Sequence, residues 1–165
     1  MTPPTSGWRP SPIDAPGMTT GAHTLVIYRP SPRADAALRA LAEATVADGG
    51  RVTVLSLVVQ EPEKNGCCDT RSVMWNDVLR GIAHEDLARA RMAVEDHPVV
   101  ALEVVAFSGR RAADVVIREA VARNADAIML ADARTGRIGV VERRRLRRKS
   151  PVPVSDGAAE LIPAE

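Results

Sequence analysis

Apolar and polar positions switch between two periods along this chain, and the switches mark its elements. Positions 23–28, HTLVIY, form a short β-branched apolar run, the pattern of a strand buried on both faces. Arg29-Pro30-Ser31-Pro32 breaks that run. Ser31 suits a helix N-cap and Pro32 the first helical position. Ala34, Ala37, Leu38, Leu41 and Ala44 then fall on one helical face, and Gly49-Gly50 ends the helix. A second apolar run covers 52–59. Strand, helix and strand make a βαβ unit, which requires parallel strands and a right-handed crossover.

A loop at 60–69, with EPEKNGCC in its middle, leads into a longer helical stretch at 70–95. Its predicted buried stripe is Trp75, Val78, Leu79 and Ile82, continuing as Ala83, Leu87, Ala90 and Val94. Gly81 is a place for a bend, and His97-Pro98 is a stop. The run 99–107 reads as a third strand, and Glu103 inside it points to a sheet edge. Ser108-Gly109 starts a third helix with Ala113, Val116, Ile117, Ala120 and Val121 on its buried face. Asn124 is placed to end that helix, because Asn tolerates the left-handed conformation. A fourth strand at 127–131, a glycine turn, an arginine-dense helix and a short fifth strand at 152–155 complete the chain. The order β-α-β-α-β-α-β-α-β predicts an open, doubly wound α/β sheet. Ligands in such sheets bind beyond the carboxyl ends of the strands, where strand order reverses.

Composition narrows this picture. The 165 residues suit one domain, predicted over 23–155. Positions 1–22 are rich in Pro, Thr, Ser and Gly and read as a disordered tail, with Trp8 the one residue there able to dock. Positions 156–165 read as a C-terminal tail. The aromatic residues are only Trp8, Tyr28, Trp75 and Phe107. The core is therefore aliphatic, and little is left for stacking single-stranded bases. A net charge of +1 gives no global attraction to a polyanion. The first residues lack a signal-peptide apolar core, and no apolar run approaches the roughly 20 residues of a membrane span. A cytoplasmic location without membrane attachment is the expectation. Cys67 and Cys68 are adjacent, which is neither a disulfide framework nor a zinc signature. A redox role would need a thiolate-stabilising site, and Lys64 and Arg71 are the nearby cations.

Two stretches carry candidate chemistry. After the fourth strand come Asp132 and then Arg134, Gly136, Arg137 and Gly139. Strand, glycine turn and helix start make a common setting for an anion, although a lone G-x-x-G is a weak signal. Next comes the basic run of Arg143, Arg144, Arg145, Arg147, Arg148 and Lys149, with Leu146 inside it. It reads either as a patch for phosphate, nucleic acid or a protein partner, or as a solvated helix whose cations favour its C-terminal end. His23, His84 and His97 have no ligand or triad spacing, so no enzyme is expected.

Five stretches resemble the universal stress protein family. Leu25-Val26-Ile27-Tyr28 with Ser31, Ala37 and Leu38 is similar to its first strand and helix, and 54–59 to its second strand. Gly109, Ala112 and Val115 resemble the family's approach to its third helix. Ala125-Asp126-Ala127-Ile128-Met129-Leu130 resembles the fourth strand and Pro151-Val152-Pro153-Val154 the fifth. The resemblance implies a five-stranded, mostly parallel sheet of order 3-2-1-4-5 with helices on both faces. It implies a stress-response binding or regulatory module, commonly a homodimer joined through the fifth strand. It also implies a place for ATP or AMP, built from Gly-x2-Gly-x9-Gly-Ser/Thr after the fourth strand and an acid ending the first. Here Gly136 and Gly139 match the first glycine pair, but Lys149, Ser150 and Pro151 stand where the second pair belongs. Arg29-Pro30 replaces the acid. The candidate site is thus Arg29, Ser31, Gly109, Asp132, Arg134, Gly136, Arg137 and Gly139. The expectation is a degenerate nucleotide site with no cofactor, ATP or AMP binding being the alternative. Arg29 either pairs with Asp132 and closes the crevice, or joins Arg134 and Arg137 in an anion pocket. The expected partner is a second copy or another protein, with nucleic acid reached only through the arginine helix.

Overall fold

The structure, a computed structural model, describes residues 21–62, 70–95, 97, 100–132 and 138–157. Within them the order is β1 (His23–Ile27), α1 (Pro32–Asp48), β2 (Arg51–Val59), α2 (Thr70–Ala93), β3 (Val100–Phe107), α3 (Ala112–Ala122), β4 (Ala127–Leu130), α4 (Val140–Lys149) and β5 (Val154–Asp156). The strands form one sheet in the order β3-β2-β1-β4-β5, and every neighbouring pair is parallel. This is the expected doubly wound architecture, all-parallel rather than mostly so. β3 is an edge strand, as Glu103 indicated, and the Glu103 carboxylate accepts from Arg123 at 2.5 Å.

Side chains alternate across the sheet with the period of two that a strand imposes. Leu25, Ile27, Leu55, Leu57, Ile128 and Leu130 pack against α3 and α4. Val26, Tyr28, Val52, Val54, Met129 and Ala131 pack against α1 and α2. Both layers are aliphatic apart from Tyr28 and Phe107. No helix among the described residues is long and apolar enough to cross a membrane.

Local chemistry sets most boundaries. Ser31 is extended and accepts from the Ala34 N–H at 3.0 Å, so α1 begins at Pro32. Gly49 closes α1 at φ 66°, where a side chain would be strained. Asn124 adopts φ 49° after α3, and the Ala125 N–H returns to the Ala120 carbonyl at 2.9 Å.

Several sequence expectations need correction. α3 begins at Ala112, later than Ser108-Gly109, because Gly109 sits at φ 62° and turns the chain before the helix starts. Val121 and Ala44 are exposed. Ala42 and Thr45 take the buried positions at the end of α1, where the Thr45 hydroxyl is satisfied by the Leu41 carbonyl at 2.7 Å. In α2, Trp75, Val78 and Ile82 are exposed instead of buried. The sheet-facing line there is Ser72, Asn76, Ala83, Leu87, Ala90 and Ala93. Small side chains bring the helix close to the sheet, and Asn76 satisfies the Glu61 backbone in both directions, at 3.0 and 3.1 Å. β5 starts at Val154, since Pro153 has no N–H and only its carbonyl joins the ladder, accepting from Ile128 at 2.9 Å.

Candidate functional site

Strand order reverses between β1 and β4, so the crevice lies beyond Ile27 and Leu130, which are register partners. The Ala131 N–H bonds the Ile27 carbonyl at 3.1 Å and carries the pairing one step further. That step delivers Asp132 to the N-terminus of α1. Asp132 is only 7% exposed, and its Oδ2 accepts from the Ser31 hydroxyl at 2.7 Å. The same Ser31 oxygen accepts from the Ala34 N–H. A buried carboxylate is costly in isolation. Here a hydroxyl donor and the positive end of α1 offset that cost. Arg29 is exposed, one residue beyond the buried Tyr28. The structure therefore brings Ser31 and Asp132 together, a contact the sequence reading did not foresee.

Gly109 and Gly139 serve the neighbouring pair of helices. Gly139 is the N-cap of α4 at φ −63°, with open space around its Cβ position. Neither its conformation nor a close approach requires glycine. The preceding Ile138 is buried in the α3–α4 layer. Arg134, Gly136 and Arg137 lie outside the described residues. α3 has no side-chain cap of its own, but Glu142 in the first turn of α4 accepts from the Ala113 N–H at 3.0 Å. Sequence reasoning missed this contact, and the one available signal was the lone acid preceding the arginine run.

The arginine helix is partly neutralised within the chain. Arg145 grips Asp114 with two bonds of 3.1 Å, and this hydrogen bonding holds the Asp114 carboxyl below its usual range. Arg147 pairs with Asp156. Arg144, Arg148 and Lys149 are exposed. Leu146, fully buried, ties the helix to the core.

Behind the crevice the Tyr28 hydroxyl donates to Asp35 at 2.5 Å, and Arg89 of α2 reaches the other Asp35 oxygen at 3.4 Å. Burial, and then the Asp35 acceptor, push the Tyr28 hydroxyl well above its ordinary range. Tyr28 is thus a neutral donor locking β1 to the α1–α2 layer. No group of three metal-ligating side chains occurs among the described residues. An open groove of about 580 Å³ lies away from the crevice, lined by Glu61, Thr70, Arg71, Met74, Trp75 and Val78.

No protein-family model matches this chain, and no curated protein matches it. Solved structures do match. A protein of the universal stress protein family from Burkholderia pseudomallei superposes with a TM-score of 0.62 at 22% identity, covering 90% of this chain and 100% of its own. The universal stress protein from Archaeoglobus fulgidus, solved in complex with dAMP, gives 0.56 at 21% identity over 84% of this chain and 98% of its own. A universal stress protein from Lactobacillus plantarum gives 0.61 at 15% identity over 83% and 97%. The chain has the universal stress protein fold.

Proposed function

We propose that this chain is a universal stress protein-like module that acts by binding and regulation rather than catalysis, with a nucleotide crevice closed by its own side chains. The carrying observation is the Ser31–Asp132 pair at the N-terminus of α1. A phosphate at a helix N-terminus needs free N–H groups and a positive local field. Ser31 already uses the Ala34 N–H, and Asp132 adds a buried negative charge. Glu142 uses an N–H at the start of α3 in the same way. The missing second glycine pair removes further donors. Two lost charge-assisted bonds of about 1.5–3 kcal/mol each lower affinity on the order of a hundredfold or more. The module works as a pair of chains in the cytoplasm, as the family resemblance implies.

The second reading is a true ATP or AMP binder. The dAMP complex of the Archaeoglobus fulgidus neighbour favours it. Isothermal calorimetry with ATP and AMP separates the two readings. The wild type is expected to bind neither in the low-micromolar range, and Asp132→Asn to bind more tightly than the wild type. Low-micromolar binding by the wild type overturns the closed-crevice reading.

A further inference from the structure

We propose that the outer face of α3 and α4 is a docking surface for the phosphate backbone of a nucleic-acid duplex, gripped without regard to sequence. The surface is separate from the crevice and gives the module a polyanion partner.

Charge on this chain is polarised. Residues 108–124 and 138–157 hold ten Lys and Arg against four Asp and Glu, while the rest of the chain holds twelve against seventeen. The net charge of +1 therefore conceals a cationic layer beside an anionic remainder. The four acids of the layer are already engaged. Asp114 is gripped by Arg145, Glu119 by Arg118 and Arg123, Asp156 by Arg147, and Glu142 by the Ala113 N–H. Arg110, Arg111, Arg144, Arg148 and Lys149 are exposed and have no ion pair among the described residues. Asp114 also feels the charges of Arg111 and Lys149, which places cations of both helices around one carboxylate. Arg144 and Arg148, one turn apart, repel each other along α4. An anion docked across them relieves that repulsion.

α3 and α4 lie side by side and run the same way, since Glu142 in the first turn of α4 reaches the first turn of α3 and Arg145 reaches Asp114. Packed helix axes are about 8–10 Å apart. Arg144 and Arg148 are separated by about 6 Å of helix rise. Two cationic rows at that spacing meet phosphates on both sides of a duplex groove, which is about 6–12 Å wide. Arginine suits this task, because its planar fork bonds two phosphate oxygens at once. Residues 108–157 contain no aromatic side chain. The face thus lacks the stacking platforms that hold single strands and the aromatic anchors that dominate protein interfaces. α4 spends its one buried apolar residue, Leu146, on the core. Its exposed Val140 and Val141 are confined to the first turn, too few for an apolar face lying on a membrane.

Fluorescence anisotropy of the full chain with a short labelled DNA duplex tests this across a KCl series. Each neutralised phosphate contributes about −0.9 to the slope of log K on log salt, so five cations give a slope of about −4.5. Affinity is then expected to fall on the order of 500-fold between about 50 and 200 mM. Arg144→Gln with Arg148→Gln is expected to reduce the slope to about −2.7, with an unchanged circular dichroism spectrum. Arg33→Gln with Arg71→Gln removes the same charge from exposed positions on α1 and α2 and is expected to keep the wild-type slope. A wild type that does not bind the duplex at the lowest salt overturns the proposal. An equal loss in the two double variants also overturns it, since overall charge would then be the cause. Tighter binding to a single strand of the same sequence overturns the duplex as occupant. Tighter binding to polyglutamate, or to phosphatidylserine vesicles, at the same salt overturns it in favour of an acidic protein or a membrane.

Discussion

Ser31 serves two partners with one oxygen, and they belong to different levels of structure. The Ala34 N–H is three residues away and follows from the local cap. The Asp132 carboxylate is 101 residues away and arrives only because β4 lies beside β1. The cap was therefore legible in the sequence, and the carboxylate contact was not. Ser31→Ala removes a cap worth about 1 kcal/mol and a hydrogen bond to a buried charge worth about 1.5–3 kcal/mol. Urea unfolding is expected to show a loss of about 2–4 kcal/mol, while Ser31→Thr retains most of the stability. His23 at the opposite end of β1 is a second case. Its Nδ1–H donates to the Arg123 carbonyl at 3.1 Å, and its Nε2 meets the Thr53 hydroxyl at 2.9 Å. Burial, and then nearby Arg51, lower its proton affinity below the ordinary value of 6.5. The unfolded chain therefore binds this proton more readily than the folded one. The His23 contribution is complete above pH 6.5 and declines as pH falls from there toward the lower folded value. Thermal unfolding between pH 7.5 and 5 is expected to show that decline in the wild type and a shallower one in His23→Gln.

At the scale of elements, α2 and α4 show where periodicity stops being decisive. In α2 the sequence carries two lines at helical spacing, one large and apolar and one of small residues. Periodicity identifies both lines but does not rank them. The small line lets the helix approach the sheet, and Asn76 finds its partners in the Glu61 backbone, so the large line turns outward. In α4 the arginine run obscures a single anchoring residue. Leu146 is fully buried and is the one buried residue of this helix. Truncating a buried leucine costs about 2–5 kcal/mol. Leu146→Ala is expected to lower unfolding stability by that amount, measured by urea titration. An unchanged midpoint would show that the ion pairs of Arg145 and Arg147 hold the helix without it. Those pairs explain how so many cations are tolerated on one short helix.

At the scale of the molecule, the chain's own pattern determined the succession of elements, the parallel pairing and the open sheet. These depend on short-range facts: a cap at Ser31, stops at Gly49 and Asn124, apolar runs of strand length, and crossovers whose handedness is fixed by chirality. The position of the crevice followed from the strand order implied by the family resemblance. Tertiary structure alone decided which groups meet beyond the ends of β1 and β4, which stripe of α2 meets the sheet and which arginines of α4 are neutralised. Each of these depends on two groups distant in sequence and brought together by packing: Ser31 with Asp132, Asn76 with Glu61 across the β2–α2 connection, and Arg145 with Asp114. Local propensity acts over a turn or two of chain. Burial and charge pairing act through space, so their outcome appears only once the layers have closed.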